Sequence, residues 1–73
     1  MVTVYTLPSC VQCDSTKRLM TKNNIDFVSV DLSTDITALE YVRSLGYQAA
    51  PVIVAGDVHW SGFRPDMISS LAE

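Results

Sequence analysis

The sequence predicts an α/β fold, a four-stranded mixed sheet with helices on both faces in the order β-α-β-α-β-β-α. Three observations predict it. Short runs rich in β-branched residues alternate with amphipathic stretches of helical period. The first two such runs are joined by a helix-length crossover, which makes them parallel. The last two are joined by a tight turn, which makes them antiparallel.

Val2–Thr6 combines β-branched and aromatic residues and reads as the first strand. Leu7-Pro8-Ser9 interrupts it, because Pro8 cannot continue a ladder, and Ser9 can cap a helix. Over Val11–Lys22, Thr16, Leu19, Met20 and Asn23 share one face, with Asp14, Lys17, Arg18 and Lys22 largely on the other. Asp14 near the start and Lys22 near the end suit the helix dipole. Asn23-Asn24 reads as a left-handed stop.

Residues 25–32 alternate as a second strand, with Val28, Val30 and Leu32 on one side and Phe27, Ser29 and Asp31 on the other. Ser33-Thr34-Asp35 supplies capping groups for a second helix whose apolar face is Ile36, Leu39, Val42 and Leu45, with Gly46 ending it. Residues 52–54 form a short apolar strand behind Pro51. Gly56-Asp57 is a two-residue hairpin loop, and residues 58–60 return antiparallel. Ser61-Gly62 breaks that strand. Pro65 and Asp66 then open a last helix with Met67, Ile68 and Leu71 on its apolar face. A parallel βαβ unit followed by a hairpin and a capping helix is the smallest thioredoxin-like arrangement.

The 73 residues make one domain, 1–73, without repeats or linkers. This is near the lower limit for a self-sufficient core. With 48% apolar and 18% charged residues the composition is that of a globular chain. The net charge of -3 offers no basic footprint for nucleic acid. No apolar run approaches the roughly 20 residues of a membrane span, and Met1-Val2-Thr3-Val4 has no signal-peptide character. A cytoplasmic monomer is the expectation.

The chemistry sits in Ser9-Cys10-Val11-Gln12-Cys13, which holds both cysteines of the chain. A C-x-x-C pair closes too short a loop to staple a fold. Residues three apart on a helix share a face, so the two sulfurs can reach bonding distance. At a helix mouth, free backbone N–H groups and the dipole stabilise a thiolate. Cys10 is therefore the expected nucleophile of thiol–disulfide exchange and Cys13 the resolving thiol. The bland alternative is a pair of ordinary buried cysteines. A metal site would have His59 as its only further soft ligand, whereas a closed zinc site takes four. The reading calls for no cofactor and no metal.

Ala50-Pro51 is the second element of the expected site. A cis bond before proline costs only about 0.5–1 kcal/mol. In this fold Pro51 is expected cis and beside the thiols, with Ala50 offering backbone groups to an extended partner segment. Read without the fold, Pro51 is a trans proline opening an edge strand.

Three stretches together resemble the NrdH-redoxin family of glutaredoxin-like proteins: residues 4–13 (VYTLPSCVQC), Ala50-Pro51-Val52, and Trp60-Ser61-Gly62-Phe63-Arg64-Pro65-Asp66. The resemblance spans nearly the whole chain and implies a thioredoxin fold. It implies a dithiol–disulfide oxidoreductase that donates electrons to a class Ib ribonucleotide reductase, at cysteines in the tail of its large subunit. It further implies reduction by thioredoxin reductase and NADPH in place of glutathione, with Cys10 attacking, Cys13 resolving and Pro51 the cis proline. Members commonly carry Lys where this chain has Leu7, so the helix dipole is left with more of the work of stabilising the thiolate.

The expected partner-binding residues are Val11, Gln12, Ala50, Pro51, Trp60, Ser61, Gly62, Phe63 and Arg64. Glutathione-using glutaredoxins typically have Pro-Tyr where this chain has Val11-Gln12, and Thr-Val where it has Ala49-Ala50. A glutathione-dependent glutaredoxin or a general protein-disulfide reductant is the alternative, and a metal or cluster module a further one. Of Trp60 and Phe63, one is expected in the core. Together and partly exposed they would form a docking patch. Arg64 is expected either to pair with a nearby carboxylate or to be a solvated charge.

Overall fold

The computed structural model describes residues 1–72. Its elements are β1 (Val2–Thr6), α1 (Val11–Lys22), β2 (Phe27–Asp31), α2 (Ile36–Ser44), β3 (Val52–Ala55), β4 (Val58–Ser61) and α3 (Pro65–Leu71). They build one four-stranded sheet in the order β2-β1-β3-β4. β1 runs parallel to β2 and antiparallel to β3, and β3 runs antiparallel to β4. The mixed sheet read from the sequence is the one observed.

Strand alternation sends side chains to two faces, and each face has its own cover. On one face Val4, Ile53 and Trp60 pack with Met20 of α1 and Ile68 of α3. On the other, Val52 packs with Val42 of α2 and with Leu32, flanked by Tyr5, Leu39 and Tyr47. Full burial of a side chain such as Met20, Ile53 or Ile68 contributes about 1.5–3 kcal/mol. So small a fold depends on these few.

The helix ends decide where the site forms. Helix α1 is capped by Cys10, not by Ser9, whose side chain could also have served as a cap. Ser9 adopts a left-handed conformation (φ 59°) and turns the chain, which moves the extended cap position one residue on. At the other end, Asn23 is the C-cap and Asn24 the left-handed stop (φ 59°). The Ile25 N–H still bonds back to Met20 O at 2.9 Å, so β2 begins at Phe27, two residues later than expected.

Helix α2 is capped by Asp35, whose Oδ1 accepts from the Ala38 N–H at 3.0 Å. Gly46, at φ 94°, follows its end and donates to Arg43 O at 2.9 Å. Two expected core positions are exposed. Ile36 is 73% exposed because it is the first residue of α2, just past the cap and off the sheet. Val28 shares the α2 side of the sheet, yet the nine residues of α2 cover only the end around Tyr5 and Val52. The β3–β4 hairpin closes through Gly56-Asp57, with Ala55 opposite Val58 and Gly56 at φ 63°.

Candidate active site

β1, an interior strand, delivers the chain to its C-terminal end, where Leu7-Pro8-Ser9 turns it into α1. Cys10 and Cys13 are disulfide-bonded there, with Cα atoms 5.2 Å apart. As the N-cap, Cys10 aims its Sγ at the first turn, where the Cys13 N–H donates to it at 3.1 Å. A sulfur thus fills the place that a Ser or Asp oxygen fills in other helices. Cys10 is half-buried and Cys13 is 1% exposed. The pair is therefore asymmetric: one cysteine is partly exposed and the other is covered. One turn further in, buried Thr16 satisfies its hydroxyl by donating to Gln12 O at 2.8 Å.

The Ala50–Pro51 bond is cis, and Pro51 is fully buried at the start of β3. Its carbonyl accepts from the Gly62 N–H at 2.8 Å. The next residue, Phe63, donates its N–H to Oε1 of Gln12 at 3.0 Å. Gly62 itself, at φ 89°, has its α-carbon turned toward Gln12, so that a Cβ there would lie 3.5 Å from Oε1. The loop after β4 thus bridges the segment between the cysteines and the cis proline. Ser61 adds a bond of 3.1 Å to Ala49 O. Of the expected partner-binding residues, Gln12, Ala50, Pro51, Ser61, Gly62 and Phe63 are brought together by these contacts.

Trp60 is not part of that surface. It is 5% exposed and sits in the core with Val4 and Ile53, because alternation along β4 turns it to the face covered by α1 and α3. Phe63, 37% exposed, is the aromatic left at the surface, with Val11 at 79% and Leu7 also exposed. Arg64 takes the paired option, making a two-pronged ion pair with Asp66 at 2.8 and 3.1 Å. The guanidinium holds the Asp66 carboxyl below its usual range, by hydrogen bonding first.

A groove of about 680 Å³ opens beside Ala50, walled by Leu7, Leu39, Val42 and Tyr47, with Arg43 the charged side chain among its lining residues. The sequence reading missed Tyr47. Its hydroxyl lies 2.6 Å from Nδ1 of His59, and the rings meet edge to face at 5.5 Å. A usable signal was present. With Trp60 facing one side of the sheet, His59 and Ser61 must face the other, where the chain leaving α2 enters β3. Among the described residues no three His, Cys, Asp or Glu side chains gather as a metal site requires. None of the helices is long and apolar enough to cross a membrane among those residues.

Known proteins match this architecture closely. The profile of the glutaredoxin family matches residues 2–60. The glutaredoxin-like protein NrdH of Escherichia coli K12 is 46% identical over 70 residues, covering 96% of this chain and 86% of that protein. The protein of the same name from Lactococcus lactis is 38% identical over 72 residues, covering 99% of this chain and all of its own. The solved structure of the E. coli NrdH-redoxin superposes with a TM-score of 0.93, covering 96% of this chain and 92% of that one. A C-x-x-C disulfide at a helix mouth, a cis proline at the neighbouring strand and identity along nearly the full length converge: the chain belongs to the glutaredoxin family, as a thiol–disulfide oxidoreductase of the NrdH glutaredoxin-like type.

Proposed function

We propose that this chain is a cytoplasmic, monomeric dithiol electron carrier, reduced by thioredoxin reductase with NADPH. It delivers electrons to the disulfide in the tail of the large subunit of a class Ib ribonucleotide reductase. The observation that carries the reading is the asymmetry of the two cysteines: Cys10 is half-buried with its Sγ held by the Cys13 N–H at 3.1 Å, while Cys13 is covered.

In the reduced protein the helix N–H groups and dipole stabilise negative charge on Cys10. That thiolate attacks one sulfur of the partner disulfide. The partner S–S bond breaks, its other sulfur leaves as a thiolate, and a mixed disulfide forms. Cys13 then gives up its proton and attacks Cys10 Sγ. The new Cys10–Cys13 bond forms as the mixed disulfide breaks and the second partner thiol departs. The partner has gained two electrons and two protons. A dithiol of the reductase runs the same exchange in reverse, with NADPH as the electron source.

The partner's backbone docks as an extended segment beside Ala50, next to the cis proline. Exposed Val11, Leu7 and Phe63 surround Cys10's end of α1 and supply apolar contact. Val11-Gln12 between the cysteines and Ala49-Ala50 before Pro51 favour thioredoxin reductase over glutathione. The E. coli NrdH-redoxin is described as having a thioredoxin-like activity profile, which supports the same choice.

The test compares two reducing systems on one protein disulfide. NADPH oxidation through thioredoxin reductase should depend on the presence of this protein. Glutathione with glutathione reductase should give little turnover. The reverse result would make the protein a glutathione-dependent glutaredoxin. Reduction of the ribonucleotide reductase tail peptide, in preference to a scrambled disulfide peptide, tests the second partner.

A further inference from the structure

We infer that Tyr47 and His59 form a clasp that sets the position of residues 47–50 for partner docking, with Tyr47 contacting the docked segment and His59 acting as its positioning residue. The inference rests on the docking mode under Proposed function and adds the side chains that shape it.

The connection from α2 to β3 has to present Ala50 at a fixed place beside the disulfide. Three contacts with β4 and the residue after it hold this connection. The Tyr47 hydroxyl meets His59 Nδ1 at 2.6 Å, Ser61 Oγ donates to Ala49 O at 3.1 Å, and the Gly62 N–H donates to Pro51 O at 2.8 Å. Alternate residues of the connection are thus tied along β4 and to the residue after it. The last of these contacts is main chain to main chain, a bond that most residue types could form. The first depends on the identity of both side chains, and it uses the only histidine of the chain.

In the neutral tautomer with its proton on Nε2, His59 presents Nδ1 as an acceptor and the Tyr47 hydroxyl donates to it. The edge-to-face packing of the rings, at an interplanar angle of 82°, fixes the Tyr47 ring as well as its hydroxyl. That ring walls the groove that runs on to Ala50. An extended, disulfide-bearing polypeptide lying against Ala50 continues into this groove, because the two share residues. Neither Tyr47 nor His59 lies on α1, which carries both sulfurs. The clasp therefore acts on recognition and leaves thiol reactivity alone.

The experiment mixes the fully reduced protein with oxidised insulin in single turnover and records the rate against insulin concentration. A small aromatic disulfide is the second substrate. Loss of one hydrogen bond in Tyr47→Phe or His59→Ala should raise the half-saturating insulin concentration about two- to tenfold. The saturating rate, the rate with the small disulfide and the reduction potential should stay unchanged. His59→Asn, whose Oδ1 replaces Nδ1 as acceptor, should recover most of the loss. Half-saturation unchanged in both variants overturns the clasp, as does an equal loss toward the small disulfide. If the unaltered protein reduces the small disulfide but not insulin, the polypeptide-docking reading itself fails, and the clasp falls with it.

Discussion

Gln12, placed between the two cysteines, accepts a hydrogen bond from the Phe63 N–H at 3.0 Å across a sequence separation of 51. One side chain thereby ties the redox turn to the loop that also holds the cis proline through Gly62. Replacing it by alanine leaves the Phe63 N–H to solvent, so global stability should fall by less than about 1 kcal/mol. The local effect is larger. Amide exchange at Phe63 should accelerate well beyond the change in global unfolding, as hydrogen exchange read residue by residue would reveal. Exchange at Phe63 unchanged in Gln12→Ala would mean that this bond does not hold the loop.

Gly62→Ala tests the same junction through the backbone. The new Cβ would lie 3.5 Å from Gln12 Oε1, an ordinary contact, so the penalty comes from φ of 89°. A left-handed conformation costs a non-glycine residue about 1–2 kcal/mol. For a domain of this size each kcal/mol lowers Tm by about 4–8 °C. Thermal melts should show a drop of that order.

Trp60 separates core from surface. If it packs as the structure has it, Trp60→Ala should lose about 3–5 kcal/mol, close to unfolding so small a domain. Trp60→Phe should be far milder. It keeps an aromatic against Val4 and Ile53 and removes the indole Nε1, which is buried without a hydrogen-bond partner among the described residues. Equal destabilisation by both replacements would contradict this packing.

The elements of the fold were legible because each is set locally. β-branched runs made β1 and β3, Pro65 opened α3, and Gly56-Asp57 closed the hairpin. The thiol pair was legible for the same reason, since its geometry follows from a three-residue spacing at a helix start. Contacts set by the meeting of distant segments were not legible. Nothing in Val11-Gln12 announces Phe63, and the alternation that turns His59 toward the connection from α2 to β3 does not single out Tyr47 as its partner. Ser9 looked like the cap because serine is the common cap residue, but the left-handed turn at Ser9 passed that role to Cys10. That shift of one residue makes the Cys10 sulfur itself the capping acceptor. Ile36 and Val28 had the right period for a core, but periodicity does not convey that Ile36 sits at the very start of α2, off the sheet, or that α2 is too short to cover Val28.

Two surface carboxylates should make stability depend on acid. Asp31 Oδ1 accepts from the Ser33 hydroxyl and N–H, and these bonds lower its pKa. Asp66 is lowered chiefly by its hydrogen bonds from Arg64. A depressed folded-state pKa means stability that is present above the unfolded value, about 3.9, and lost as pH falls through the folded value. Both groups are solvent-exposed, so the loss is small and screened by salt. Carboxyl NMR titration should find both below 3.9. Asp31→Asn and Arg64→Gln should each flatten the acid limb of the stability curve.

The central claim is the division of labour between the sulfurs: Cys10 at the helix mouth attacks, and covered Cys13 resolves. Its most direct test is trapping on a disulfide peptide, read by intact mass. Reduced Cys13→Ser should accumulate a one-to-one mixed disulfide through Cys10, and Cys10→Ser should accumulate none and reduce nothing. A stable adduct through Cys13 in the Cys10→Ser protein, formed as fast as the one through Cys10, would contradict the account.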